Sequence, residues 1–251
     1  MRSDYNKLTA MFDLFQNEEA RQAILEKIMN SERLETDIIT NFDFATSFEE
    51  EDFLSLLYYL GLLTIKEEGL MYEVVLQVPN SVIRDIYYQY YANYLNVSTK
   101  VKRNAVGLIA FHDDFKEYNQ LIEDILDLHS DEDYKDFRES RLKSIMLFCF
   151  SNQNTYLVKS EYPVEGKRID IALFDRRRGD RKTKYNYLLE IKYIPKAQAS
   201  TVRIETIKMQ ARKQMQEYLQ LEEFKEDSYL KGYIYTVVKN KIICFEEVAR
   251  Y

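Results

Sequence analysis

The chain has 251 residues, 46% hydrophobic and 31% charged, with a formal net charge of −7. That composition supports packed cores and excludes a disordered chain, and the length allows one large domain or two ordinary ones. No apolar run approaches the ~20 residues that a membrane-spanning helix needs. Cys149 and Cys244, the only cysteines, make no disulfide framework. With no signal-peptide pattern either, the expectation is a cytoplasmic protein with no membrane partner. Charge is uneven along the chain. Lys and Arg number 11 against 23 Asp and Glu in residues 1–130, and 24 against 19 in residues 131–251. The second part is the better partner for a phosphate backbone, because basic side chains that neutralise phosphates release counterions.

The first part reads as helical with one hairpin. Asn17 is placed to cap a helix over 18–29, with Ala20, Ile24 and Ile28 at helical spacing. Ser47 and Glu50 have capping-box spacing ahead of Phe53, Leu54, Leu57 and Tyr58, and Gly61 stands where a left-handed C-terminal cap belongs. Short strands over 62–65 and 70–78 flank a Lys66–Gly69 turn, and a helix from Ser81 to about Leu95 follows. That order predicts a winged-helix-like module. Its last helix carries Tyr87, Tyr90, Tyr91 and Tyr94, either a stacking surface for bases or, the better reading in so acidic a segment, a core or seam that suits a protein partner. Residues 96–113 read as a connecting segment, which puts the domain boundary at 1–113 and 114–251.

An amphipathic helix over 114–128 comes next, and Ser130 is read as the cap of a long helix through Phe137, Leu142, Ile145, Met146 and Cys149. His112 and His129 are the only histidines, without Cys/His partners for zinc or for a histidine-based triad. From 152 the period changes to two. Strands are predicted over 156–162, 168–174 and 187–194, a helix over 201–221, and strands over 233–238 and 242–245. The second part is therefore α-β-β-β-α-β with a mixed sheet flanked by helices. Arg176, Arg177, Arg178, Arg181, Lys182 and Lys184 crowd the loop between the second and third strands, a solvated tip or a phosphate contact.

Two of these strands carry charge among apolar neighbours: Arg168-Ile169-Asp170-Ile171-Ala172-Leu173-Phe174 and Tyr187-Leu188-Leu189-Glu190-Ile191-Lys192-Tyr193-Ile194. Charge inside an apolar strand is unfavourable unless paired or bound to a metal. Glu190 and Lys192, two apart, share a face, and Asp170 joins them if the strands are neighbours. An ordinary cross-strand ion pair is the competing account. The spacing alone is weak, since Glu223-Phe224-Lys225 repeats it in charged, helix-like surroundings.

In element order and in these residues the chain resembles the PD-(D/E)xK nuclease superfamily. More narrowly it looks like bacterial proteins of the DUF1703 type, in which such a domain follows an AAA-ATPase-like region. The relevant stretches are Phe137-Arg138-Glu139-Ser140-Arg141, Gly166-Lys167-Arg168-Ile169-Asp170, Leu189-Glu190-Ile191-Lys192-Tyr193 and 211–218; in the first part 56–65 and 78–84 resemble the end of the ATPase-like region. The resemblance implies a restriction-endonuclease-like domain that hydrolyses phosphodiesters of DNA, or of RNA. It implies Mg²⁺ or Mn²⁺ on Asp170, Glu190 and the Ile191 carbonyl, polarising the phosphate and lowering the pKa of bound water. Lys192 would position that water or hold developing charge, Glu139 would be the additional acidic position, and Gln214 the polar residue on the following helix, one turn before Tyr218. A catalytically inactive nuclease fold used for binding or regulation is the alternative. Two departures stand out. Ile169 replaces the motif's proline, and no G-x-x-x-x-G-K-S/T pattern occurs, so no nucleotide site is expected in this chain, which would be a piece of an ATPase-linked protein or a shortened member.

Overall fold

The computed structural model describes residues 2–14, 18–29, 34–42, 49–69, 73–94, 97–135, 137–151, 155–176 and 183–250. They form two compact units, Met1–Asn96 and Val97–Tyr251.

In the first unit α1 (Arg2–Leu14), α2 (Glu18–Met29), α3 (Glu50–Tyr59) and α4 (Ser81–Tyr94) accompany an antiparallel sheet of order β1-β3-β2, with β1 (Leu34–Thr36), β2 (Thr64–Glu68) and β3 (Val74–Gln77). Phe12, Ile24, Phe53, Leu57, Tyr87 and Tyr91 are buried in its core. The Tyr87 hydroxyl donates to the Leu62 carbonyl, and the Phe12 ring stacks on Tyr90. Tyr87 and Tyr91 are thus core residues, not a base-stacking surface. Gly61 has φ +72 just past α3, the left-handed conformation expected there. Asn17 and Ser47, read as caps, and Leu70, read as a strand start, lie outside the described residues; at the start of α3 it is the Asp52 carboxylate that accepts the Glu49 amide proton.

The second unit holds α5 (Thr99–His112), α6 (Lys116–Asp127), α7 (Glu139–Phe150), β4 (Tyr156–Val164), β5 (Lys167–Asp175), β6 (Asn186–Ile194), α8 (Thr201–Leu219), β7 (Leu230–Val238) and β8 (Lys241–Val248). The strands form one mixed sheet in the order β4-β5-β6-β7-β8, parallel only between β6 and β7. A parallel pair needs a crossover, and α8 supplies it. Strand β6 is central, and its residues 186–191 are all buried, as expected of a strand covered on both faces. Tyr187 donates to Asp113, between α5 and α6, whereas its neighbour Leu188 packs in the core beneath α8. Helices therefore cover both faces. At the β4–β5 turn Glu165 and Gly166 have φ +46 and +76, the pair of positive values that a tight two-residue hairpin requires.

Two sequence expectations fail here. Residues 99–112 are helix α5, not a connection, so the units divide at 96/97 and not at 113/114. The helix was obscured because Lys102 occupies its apolar stripe. That lysine is buried, donates to the Phe148 carbonyl and Ser151 Oγ, and so satisfies the C-terminal end of α7. Nor does Ser130 start a long helix. It exchanges hydrogen bonds with Asp133 in a local turn, and α7 begins only at Glu139.

Candidate active site

The site is made by a lapse in strand pairing. Strands β5 and β6 pair at Leu173–Tyr187, Ala172–Leu188 and Ile171–Leu189, and the ladder stops there. The next positions, Asp170 and Glu190, face a gap that Asp170 fills itself, its Oδ2 accepting the Ile191 amide proton at 2.9 Å. A lapse also occurs on the other side. Strand β4 pairs with β5 at Ser160–Ile171 and Tyr162–Ile169 but not at Glu161–Asp170, where Glu161 has φ +50. Ile169 and Ala172, three apart, both pack in the core under α8; strict alternation would place them on opposite faces. The irregularity is thus centred on Asp170. A non-glycine residue held in the left-handed region costs about 1–3 kcal/mol and persists only where surrounding structure fixes it.

Four of the expected residues meet at this opening. Glu190 is 1% exposed, and both of its carboxylate oxygens lack a hydrogen-bond partner. Lys192 Nζ forms an ion pair with Glu190 Oε1 at 2.7 Å and lies 3.8 Å from Glu139 Oε1. Glu139, the first residue of α7, accepts the Tyr193 amide proton on Oε2. Gln214 stands slightly apart: its amide donates to the Tyr218 hydroxyl, which donates to the Arg168 carbonyl. The phenol of Tyr218 is pushed up first by burial and then by the charge of Glu190, which puts this pair beside the carboxylates. Ile191 contributes its amide to Asp170.

Electrostatics here is dominated by burial. It raises Glu190 to about 7, helped by the neighbouring Asp170 charge and opposed by Lys192. Asp170 also moves up through burial, against the Ile191 amide, Lys192 and Lys143. Glu139 moves up through burial and is drawn back by Lys192. For Lys192, burial disfavours the ammonium, but Glu190 and Glu139 outweigh it and the net direction is up. The cluster holds more buried carboxylate than its cations neutralise.

A hard divalent cation would offset that excess, and Asp170 and Glu190 are the residues that would hold it. Glu190, buried with the Lys192 ammonium against one carboxylate oxygen, is the observation that fits one, with Asp170 on the adjoining strand as the second carboxylate. Among the described residues no group of three or more His, Cys, Asp or Glu is arranged to hold a metal. Two carboxylates on adjoining strands would suit Mg²⁺, which keeps waters and takes one or two carboxylates with substrate phosphate.

Two further residues were missed in the sequence. Lys143 on α7 is buried, pairs with Glu161, and has Nζ 4.0 Å from Asp170 Oδ1. Its position four after Glu139, hence on the same helix face, was the one available signal; nothing local marked Glu161. The basic loop joins the two motif strands, β5 and β6. Its described ends, Arg176 and Thr183, lie at the closed end of the β5–β6 pair, and Arg176 is about six residues or roughly 20 Å along β5 from Asp170. Residues 177–182 lie outside the described residues.

A five-stranded mixed sheet between helices, with carboxylates and a lysine at the opened ends of two strands, is consistent with a restriction-endonuclease-like fold. Residues 137–247 match the family model of the PD-(D/E)XK nuclease superfamily, and this stretch is a domain of that superfamily. The match runs from just before α7 into β8 and contains Glu139, Asp170, Glu190, Lys192 and Gln214. No curated protein matches the chain.

Proposed function

We propose that the Val97–Tyr251 unit hydrolyses phosphodiester bonds of DNA, with RNA as the alternative polynucleotide, using Mg²⁺ or Mn²⁺. The observation that carries this reading is Glu190, buried in the central strand and set beside Asp170 and Lys192. A bound cation would supply Lewis-acid polarisation of the phosphate. Asp170 and Glu190 would hold it, and the Ile191 carbonyl is the third donor offered by the same strand. In the reaction a water oxygen bonds to phosphorus as the opposite P–O bond breaks. Lys192, kept charged by Glu190 and Glu139, stabilises the negative charge that builds on the phosphoryl oxygens. Glu139 orients Lys192, and Gln214 with Tyr218 supports the far side of Glu190. The excess of Lys and Arg over Asp and Glu in residues 131–251 favours a polyanionic partner.

Within the same proposal, the first unit is a winged-helix-like module that binds a protein partner. The order helix, strand, helix, hairpin around its three-stranded sheet supports that reading, as does its acidic charge. We place the chain with the DUF1703-type bacterial proteins and their AAA-ATPase-like region, in the cytoplasm. Among the described residues no helix is long and apolar enough to cross a membrane.

The test is cleavage of single- and double-stranded DNA and of RNA by the full chain in Mg²⁺ and in Mn²⁺. Wild type is expected to cut, and Asp170→Ala to lose about 10²–10³-fold in rate. Salt-dependent DNA binding with no metal-dependent turnover would establish the other reading, an inactive nuclease fold that binds nucleic acid.

A further inference from the structure

The strained residue nearest the site has no role in the reading above. Glu161 sits in the middle of β4 with a left-handed backbone, directly opposite Asp170, and its carboxylate pairs with Lys143. Lys143 has two carboxylates in reach, Glu161 in contact and Asp170 at 4.0 Å, a distance too long for a hydrogen bond. A buried ammonium must be paired. Without Glu161, the nearest acceptor for Lys143 is Asp170, and an ammonium seated there would occupy the oxygen that a cation needs and cancel its charge.

We infer that Glu161 is a positioning residue that holds Lys143 off Asp170, so that the Asp170 carboxylate stays open to a divalent cation. The inference rests on Asp170 being a metal ligand, as proposed above. It explains why a strand residue takes up an unfavourable backbone here: an extended residue at 161 would leave the β4–β5 ladder intact and put its side chain elsewhere. It also explains why Lys143, only 10% exposed, stops at 4.0 Å from a carboxylate that has no other ammonium in direct contact among the described residues.

Mn²⁺ binding to the full chain, measured by calorimetry without substrate, tests this in four proteins: wild type, E161Q, K143M and K143M/E161Q, each checked for folding by circular dichroism. E161Q is expected to raise the Kd for Mn²⁺ by at least about 10-fold, the scale of losses when a group supporting a metal ligand is removed. K143M is expected to bind at least as tightly as wild type, and the double variant to recover to within about 3-fold of it. That rescue separates the mechanism from a general structural role, since simple damage to β4 would persist in the double variant. A crystal structure of metal-free E161Q is expected to show Lys143 Nζ hydrogen-bonded to Asp170. Unchanged Mn²⁺ affinity in E161Q, or no recovery in the double variant, overturns the inference while leaving Asp170 as a ligand. No Mn²⁺ binding by wild type overturns the metal-site reading and this inference together.

Discussion

Glu190-Ile191-Lys192 and Glu223-Phe224-Lys225 have the same spacing of charge, and their surroundings give them opposite characters. In the first, Glu190 is buried in the central strand beside an opened ladder, with Lys192 and Asp170 for neighbours. In the second, which follows α8, the charged residues face solvent and the middle one is buried: Glu223 accepts from the Tyr162 hydroxyl, Lys225 pairs with Glu222, and Phe224 packs against Phe174 and Tyr162. A short charge pattern acquires chemistry only when the fold removes it from water and brings a second charge from another element.

If that contrast is right, the second segment matters through its apolar residue. Phe224→Ala is expected to destabilise the protein by about 3–5 kcal/mol, the range for deleting a buried aromatic ring, as measured by denaturant unfolding. A loss under about 1 kcal/mol would remove Phe224 from the core described here.

The first segment should instead oppose stability at neutral pH. Glu190 ionises near 7 in the folded chain against an ordinary 4.5, so the folded state binds its proton more tightly. The unfavourable burial of charge is absent below about pH 4.5 and complete above about pH 7. In metal-free buffer, Glu190→Gln is expected to melt higher than wild type at pH 8, with the difference shrinking toward pH 5. A constant difference across that range, or a lower melting point at pH 8, would contradict the burial of an ionisable carboxyl at this position. Lys225→Ala, at the exposed end of the comparison, is expected to leave the unfolding midpoint unchanged.

Much of the second unit was legible because its periods are clean. The predicted strands at 156–162, 168–174 and 187–194 and the helix at 201–221 match β4, β5, β6 and α8 to within two residues. Asp170 and Glu-x-Lys stood out because charge in an apolar strand needs a reason. Helix α5 was hidden by Lys102, whose partners lie nearly fifty residues away at the C-terminal end of α7. Lys143 and Glu161 were invisible for a related reason. Their relation depends on a helix packing over a lapse in the β4–β5 ladder and on a positive φ at Glu161, neither of which local sequence encodes. The winged-helix reading of the first part rested on element order; the structure adds the strand β1, which pairs with β3.

The most direct test applies one change to both Glu-x-Lys segments. Single-turnover cleavage of DNA in Mg²⁺ is to be compared for wild type, Lys192→Ala and Lys225→Ala. Removing the ammonium beside Glu190 is expected to slow the reaction by about 10²–10³-fold, while removing the one beside Glu223 leaves the rate as it was. Equal rates for Lys192→Ala and wild type, with cleavage intact, would place the chemistry outside the opened ends of β5 and β6.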